Sequence, residues 1–179
     1  MRKIKRVGIS ALLLVFLSLI QFDAAAQVQK GNVLINAGLG FGYYYAGGVS
    51  LTANAEFSIT DEIAVGPYLA YTRWDYGYFG YDYHYNFIDF GARGTYHFAK
   101  LLKVKNDKFD PYAGVFLGFV SSSYTYDGGS GNNYSDSYDG GVRSGIYAGA
   151  RYYFSDKFAG FGELGIGLSP LVLGVTFKL

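Results

Sequence analysis

The chain has 179 residues, half of them apolar and a fifth aromatic, with a formal net charge of +1. A charge so near balance creates no field that would call for nucleic acid or an acidic partner. With no cysteine, disulfides and a lipidated bacterial amino terminus are both excluded.

Arg2, Lys3, Lys5 and Arg6 open the chain, an apolar run follows from Ala11 to Ile20, and Ala24-Ala25-Ala26 comes next. A basic start, a short apolar stretch and an Ala-x-Ala site read as a secretory signal peptide. The apolar run is too short for a membrane helix, which needs about 20 such residues. Cleavage after Ala26 is expected, making residues 1–26 the signal and 27–179 a single domain. Beyond the signal there is no long apolar run free of Gly and Pro, so no transmembrane helix is expected. An exported chain that is half apolar must still bury that surface. A closed barrel is the only sheet that lipid tolerates, because it leaves no backbone edge unpaired. The nineteen tyrosines suit a protein that meets two membrane–water interfaces.

Period-2 alternation, the mark of a half-buried strand, then recurs along the chain. The first strand is expected near Asn32 to Tyr44, with Val33, Ile35, Ala37, Leu39, Phe41 and Tyr43 on one face. A turn at Tyr45-Ala46-Gly47-Gly48 leads to the second, Val49 to Ser58, where Val49, Leu51, Ala53, Ala55 and Phe57 alternate with Ser50, Thr52, Asn54, Glu56 and Ser58. After Thr60-Asp61-Glu62 comes the third, Ile63 to Trp74. Pro67 cannot donate to a ladder and should sit where the missing hydrogen bond is harmless. Asp75 to His84 is a Tyr-rich loop or an extension of the flanking strands. The fourth strand, Tyr85 to Phe98, sets Ile88, Phe90, Ala92, Tyr96 and Phe98 against Asp89, Gly91, Arg93, Thr95 and His97. A basic connection with Lys100, Lys103, Lys105 and Lys108 precedes the fifth, Asp110 to Tyr124. Thr125 to Gly141, rich in Gly, Ser, Asn, Asp and Tyr, reads as a long flexible loop. The sixth strand, Val142 to Phe154, carries Arg143, Tyr147, Arg151 and Tyr153 on one face. The seventh is Phe158 to Leu168. The last, Leu171 to Leu179, puts Leu171, Leu173, Val175, Phe177 and Leu179 on a single side.

Eight such segments, each near the ~9–11 residues that cross a bilayer on a tilt, make an all-β fold: an eight-stranded antiparallel up-and-down transmembrane β-barrel. With the amino terminus in the periplasm, the connections at 75–84 and 125–141 lie outside. Those at 60–62 and 155–157 lie inside and are short, the usual asymmetry of such barrels. A soluble barrel would show the same alternation turned inside out. Aromatics near strand ends (Phe41, Tyr43, Phe57, Tyr71, Tyr96, Phe98, Tyr152, Phe154 and Phe177) match interfacial girdles and favour the membrane form. The polar faces then line the lumen, with three acids (Glu56, Asp89, Glu163) against three arginines (Arg93, Arg143, Arg151), and Lys178 besides. An eight-stranded interior is just wide enough to be filled by side chains, and a buried charge is tolerated when paired and hydrogen-bonded. These six groups are expected to form an ion-pair network that plugs the lumen; the alternative is that they touch internal water only.

The signal peptide, the eight alternating segments and the terminal strand Leu171 to Leu179 together resemble the OmpA/OmpX-type small outer-membrane barrels. The resemblance covers the whole of residues 27–179, as a pattern rather than a specific motif. It implies a monomer embedded in outer-membrane lipid and assembled by the barrel-assembly machinery, which reads the last strand. That strand usually ends in an aromatic; here Leu179 is last and Phe177 stands two before it.

Some barrels of this size modify lipid A, so a catalytic site has to be sought. A nucleophilic triad needs Ser, His and an acid within hydrogen-bond reach. His97 is followed by Phe98 and Ala99, unlike the His-x-Ser of the deacylase type, and Ser121, Ser122 and Ser123 belong to the other end of the barrel. His84 lies in the Tyr-rich segment, with no spacing that links it to those serines. No catalytic residue, cofactor or metal is expected: Asp127, Asp136 and Asp139 surround a Gly-rich stretch, but not at EF-hand spacing. Asn133-Tyr134-Ser135 matches a glycosylation sequon, a pattern common by chance. The outer segments hold Tyr76, Tyr78, Tyr81, Tyr83, Tyr124, Tyr126, Tyr134 and Tyr138 among Gly, Ser and Asn, a composition shared with adaptable protein-binding surfaces. The leading expectation is therefore a structural envelope barrel with a plugged lumen. The alternative is an adhesin or envelope-complex subunit that meets an extracellular protein through these tyrosines. A narrow pore and a lipid A-modifying enzyme rank below both.

Overall fold

The computed structural model describes residues 28–42, 48–78, 81–128 and 132–179, and the side chains of these outside 74–85 and 124–139. The expected signal peptide, residues 1–26, and most of the expected turn at 45–48 lie outside the described residues. Eight strands follow one another: β1 (Val33–Phe41), β2 (Val49–Ser58), β3 (Ile63–Tyr78), β4 (Tyr81–His97), β5 (Phe109–Gly128), β6 (Asn132–Tyr153), β7 (Phe158–Ile166) and β8 (Leu171–Lys178). Each pairs antiparallel with its neighbours in sequence, and β1 pairs with β8 from Leu34–Lys178 to Phe41–Leu171, so the sheet closes into an up-and-down barrel.

The alternation decides which medium the wall faces. Leu51 is 61% exposed, Val115 59% and Leu173 50%, whereas Arg93 is 9% and Arg151 1% exposed. Apolar side chains coat the outside and charged ones fill the middle, the reverse of a soluble barrel and the arrangement lipid requires. At the inner end, toward which both termini of the barrel lead, the outside carries an aromatic belt. Tyr96 and Phe98 meet at a tilt with centroids 4.9 Å apart, Tyr152 and Phe154 meet edge-on 5.8 Å apart, and Phe158 joins Phe154 at 6.2 Å.

Pro67 stands on the outer surface of β3, where the ladder to β2 is interrupted between the pairs Asn54–Tyr68 and Phe57–Val65. The register is the same on either side of that gap, so the missing N–H interrupts the ladder only there. The inner connection between β4 and β5 is long and locally helical: Leu102 N–H donates to Phe98 O (2.8 Å), Val104 N–H donates to Ala99 O (2.9 Å), and Lys103 takes φ 51° to end the turn.

One expectation is corrected: Thr125 to Gly128 and Asn132 to Gly141 are paired strand rather than flexible loop. Of the two alternatives for Asp75 to His84, the described residues take the strand extension. β3 and β4 stay paired out to Tyr78–Tyr81, and β5 and β6 to Gly128–Asn132. The small polar residues that suggested a loop alternate with tyrosines, and Tyr, Thr and Ser placed across from one another make a serviceable ladder. Residues 79–80 and 129–131 lie outside the described residues.

Candidate functional site

The lumen is filled by polar side chains drawn from every strand. Arg93 on β4 places Nη2 2.7 Å from Glu163 Oε1 on β7 and 4.0 Å from Glu56 Oε1 on β2. Its Nε donates to the Tyr147 hydroxyl (3.0 Å), and its guanidinium lies 3.9 Å from that ring's centre. One strand-pair repeat nearer the inner end, Arg151 on β6 donates from Nη2 to Glu56 Oε1 (2.6 Å) and from Nη1 to Asp110 Oδ2 on β5 (3.3 Å), lying 4.2 Å over the Tyr112 ring. Tyr112 in turn donates to Glu163 Oε1 (3.0 Å), and Asn36 donates to Glu56 Oε1 (3.0 Å) while accepting from Thr176 (2.6 Å). His97 presents Nδ1 to both carboxylate oxygens of Asp110 at 3.0 Å, and its Nε2 is 3.7 Å from Glu56 Oε2.

Each guanidinium thus meets carboxylate and aromatic face together, which is how a buried arginine recovers the hydration it loses. Arg143 and Asp89 form a separate pair nearer the outer end, with Nε 3.4 Å from Oδ1. Of the six charged residues singled out in the sequence, four (Glu56, Arg93, Arg151 and Glu163) fall into one cluster, and Arg143 and Asp89 lie above it. Lys178 stands apart, its Nζ 5.2 Å from the Tyr153 ring. Asp110, Tyr112 and Tyr147 were not singled out. Their signal was the same alternation: Asp110 and Tyr112 share the face opposite Ala113 and Val115, and Tyr147 shares one with Arg143 and Arg151.

Two cavities flank this cluster. The outer one, of about 40 Å³, is lined by Tyr68, Arg93, Phe116, Tyr147, Glu163 and Leu168 among others. The inner one, of about 150 Å³, is lined by Val28, Gln29, Asp61, His97, Ala99, Lys100 and Asp110. They share no lining residue, and Arg151 and Glu56, 1% and 0% exposed, line neither. Glycines make the room the large side chains need. A Cβ on Gly149 would stand 2.9 Å from Glu163 Cγ and 3.0 Å from Tyr112 Cζ.

The outer end is uneven. β2 reaches only as far as Val49–Arg73 along β3, and β7 only as far as Ile166–Ile146 along β6. β3, β4, β5 and β6 continue beyond that level as a four-stranded sheet. Tyr76, Tyr78, Tyr81, Tyr83, Tyr124, Tyr126, Tyr134 and Tyr138 all lie on it. His97 and Ser121 to Ser123 are not brought together: His97 pairs with Tyr112 near the inner end, whereas Ser121 pairs with Ile88 well above. Asp127 pairs across to Asn133 and Asp136 to Tyr124, so the register sets these two aspartates on opposite faces of the sheet rather than around one cradle.

Neither a protein-family model nor a curated protein sequence matches the chain. Solved structures do match in fold. The N-terminal β-barrel domain of Pseudomonas aeruginosa OprF superposes with a TM-score of 0.51 at 19% identity, over 84% of this chain and 98% of that one. Ail, the attachment invasion locus protein of Yersinia pestis, gives 0.56 at 13% identity over 84% and 100%. Neisserial surface protein A gives 0.51 at 14% over 83% and 94%. The fold is that of the small outer-membrane barrels of the OmpA/OmpX type.

Proposed function

We propose that this protein is an integral outer-membrane barrel with a closed lumen, exported by cleavage of residues 1–26, and that its first role is structural, as a component of the envelope. The observation that carries this reading is the buried cluster of Arg151, Glu56 and Asp110, beside two cavities that share no lining residue. A path for ions would have to part charges held at 2.6 and 3.3 Å in a low-dielectric interior. The exposed apolar wall, with its aromatic belt, supports residence in lipid as a monomer, and β8 is the strand on which the barrel-assembly machinery would act. No enzymatic role is proposed: His97 is hydrogen-bonded to Asp110, and Ser121 to Ser123 lie well along the barrel from it. The test is single-channel recording of the purified barrel in planar bilayers. The wild type should show no steady conductance, and Arg151→Ala should raise it. A steady, large wild-type conductance would sink the closed lumen.

A second reading is favoured by the projecting sheet: binding of an extracellular protein through β3 to β6. Ail, of the same fold, is the attachment invasion locus protein and has been solved with the heparin analogue sucrose octasulfate. The surface here has the opposite charge to one that selects such a polyanion. Asp75, Asp82, Asp127, Asp136 and Asp139 lie on it against Arg73 alone, with no lysine. Comparing cell-surface binding of the whole barrel with one trimmed of residues 76–83 and 126–134 tests this reading. Equal binding would discard it.

A further inference from the structure

We propose that the inner connection between β4 and β5 binds the headgroups of anionic phospholipid in the leaflet at that end of the barrel. The inference rests on the barrel's residence in the outer membrane and assigns a lipid class to one segment. The connection leaves and rejoins the wall at its aromatic belt. Phe98 meets Tyr96 at its start, and Phe109 stands across from Tyr152 at its end. Between them the chain makes a helical turn, in which Leu102 N–H donates to Phe98 O at 2.8 Å. Residues three and four beyond a helical residue fall on its side of the turn, so Leu101 and Leu102 continue the side that Phe98 begins. They are 64% and 62% exposed, as open as Leu51 and Leu117 on the lipid-facing wall. Val104 N–H then donates to Ala99 O at 2.9 Å, and Lys103 at φ 51° turns the chain back toward β5.

Charge names the occupant. The connection carries Lys100, Lys103, Lys105 and Lys108 against Asp107. Lys100 is turned to the neighbouring connection, its Nζ 2.7 Å from Glu62 Oε1 and 3.9 Å from Asp61 Oδ2. On the connection between β6 and β7, Asp156 offsets Lys157. The surplus rests on Lys103, Lys105 and Lys108, and Lys103 and Lys105 are exposed directly after the two leucines. Apolar side chains on the lipid side followed by ammonium groups make an interfacial anchor, and each lysine near an anionic leaflet adds to the attraction. A protein partner fits less well. Two leucines supply little of the about 800 Å² per side that a stable protein interface takes, and they adjoin a belt already turned to lipid.

Trp74 is the single tryptophan of the chain, so Trp74→Phe with Leu101→Trp places one fluorescent reporter on the connection. The full barrel is refolded into nanodiscs of equal parts phosphatidylcholine and phosphatidylglycerol. Bromine, which quenches indole on contact, is carried on the acyl chains of one lipid or of the other. Brominated phosphatidylglycerol should quench about threefold more than brominated phosphatidylcholine, and the excess should shrink as salt rises. Lys103→Gln, Lys105→Gln and Lys108→Gln together should make the two lipids equal while both still quench, which separates the charges from the apolar contact. Equal quenching with the lysines in place, or a preference that survives their removal, would overturn the headgroup assignment. Trp74→Phe with Leu173→Trp, on the wall, reports insertion and should be quenched by both lipids. If that reporter is quenched and the one at position 101 is not, the leucines stand in water and the connection is left to an aqueous partner. If neither is quenched, residence in lipid itself fails.

Discussion

Arg151 joins acids from β2 and β5 across the lumen, and at 1% exposure it has no water to turn to. Removing one partner of a buried pair costs about 3–5 kcal/mol, because the carboxylates left behind keep their desolvation without compensation. Arg151→Met should therefore lower the urea midpoint of unfolding markedly, read as loss of the heat-modifiable gel shift. Adding Glu56→Gln should recover part of it. If the double variant is as unstable as the single one, the pair is not the source of the cost. Gly149 works by volume rather than charge. Its missing Cβ leaves space for Glu163 and Tyr112, and backbone Gly162 O would also be 2.5 Å away. Gly149→Ala should cost about 1–3 kcal/mol by overpacking, in the same unfolding assay.

At the scale of the element, barrel closure and the projecting sheet are separable. β1, β2, β7 and β8, of 8 to 10 residues, set the height at which all eight strands are joined. The extra length of β3 to β6 adds ladder only to itself. Trimming residues 76–83 and 126–134 should leave the gel shift of the barrel intact; loss of folding would show that the hairpins nucleate closure. The inner connection between β4 and β5 is tied to its neighbour by Lys100, whose Nζ donates to Glu62 Oε1 at 2.7 Å and lies 3.9 Å from Asp61. The hydrogen bond and charge of Glu62 raise the Lys100 pKa. A raised folded-state value means that the contribution is fully present below the pKa of a free lysine, about 10.4, and is lost as pH climbs through the folded one. Lys100→Met should show a small deficit in stability at neutral pH that disappears in strong alkali. A deficit independent of pH would point to packing instead.

For the whole molecule, the two ends differ in charge: lysines gather at the inner rim and aspartates on the outer hairpins. Because the chain has no cysteine, single substitutions report orientation cleanly. Ser137→Cys should react with a membrane-impermeant maleimide on intact cells, and Lys103→Cys only after the outer membrane is opened. The opposite pattern would invert the barrel.

Alternation of single residues was enough to read the strand count, their antiparallel order and the lipid-facing set, because a strand with one face in lipid and one in a polar lumen can satisfy both only at period two. The charged residues of the lumen were legible for the same reason. Which acid meets which arginine was not. Glu56 and Arg151 stand 95 positions apart, and only strand register and barrel closure bring them to 2.6 Å. The hairpins escaped for a different cause. Gly, Ser and Asn have the composition of a loop whether or not a paired strand lies across from them, and that pairing, together with the one-residue shift that aligns Tyr134 with Tyr126, is a property of two strands at once.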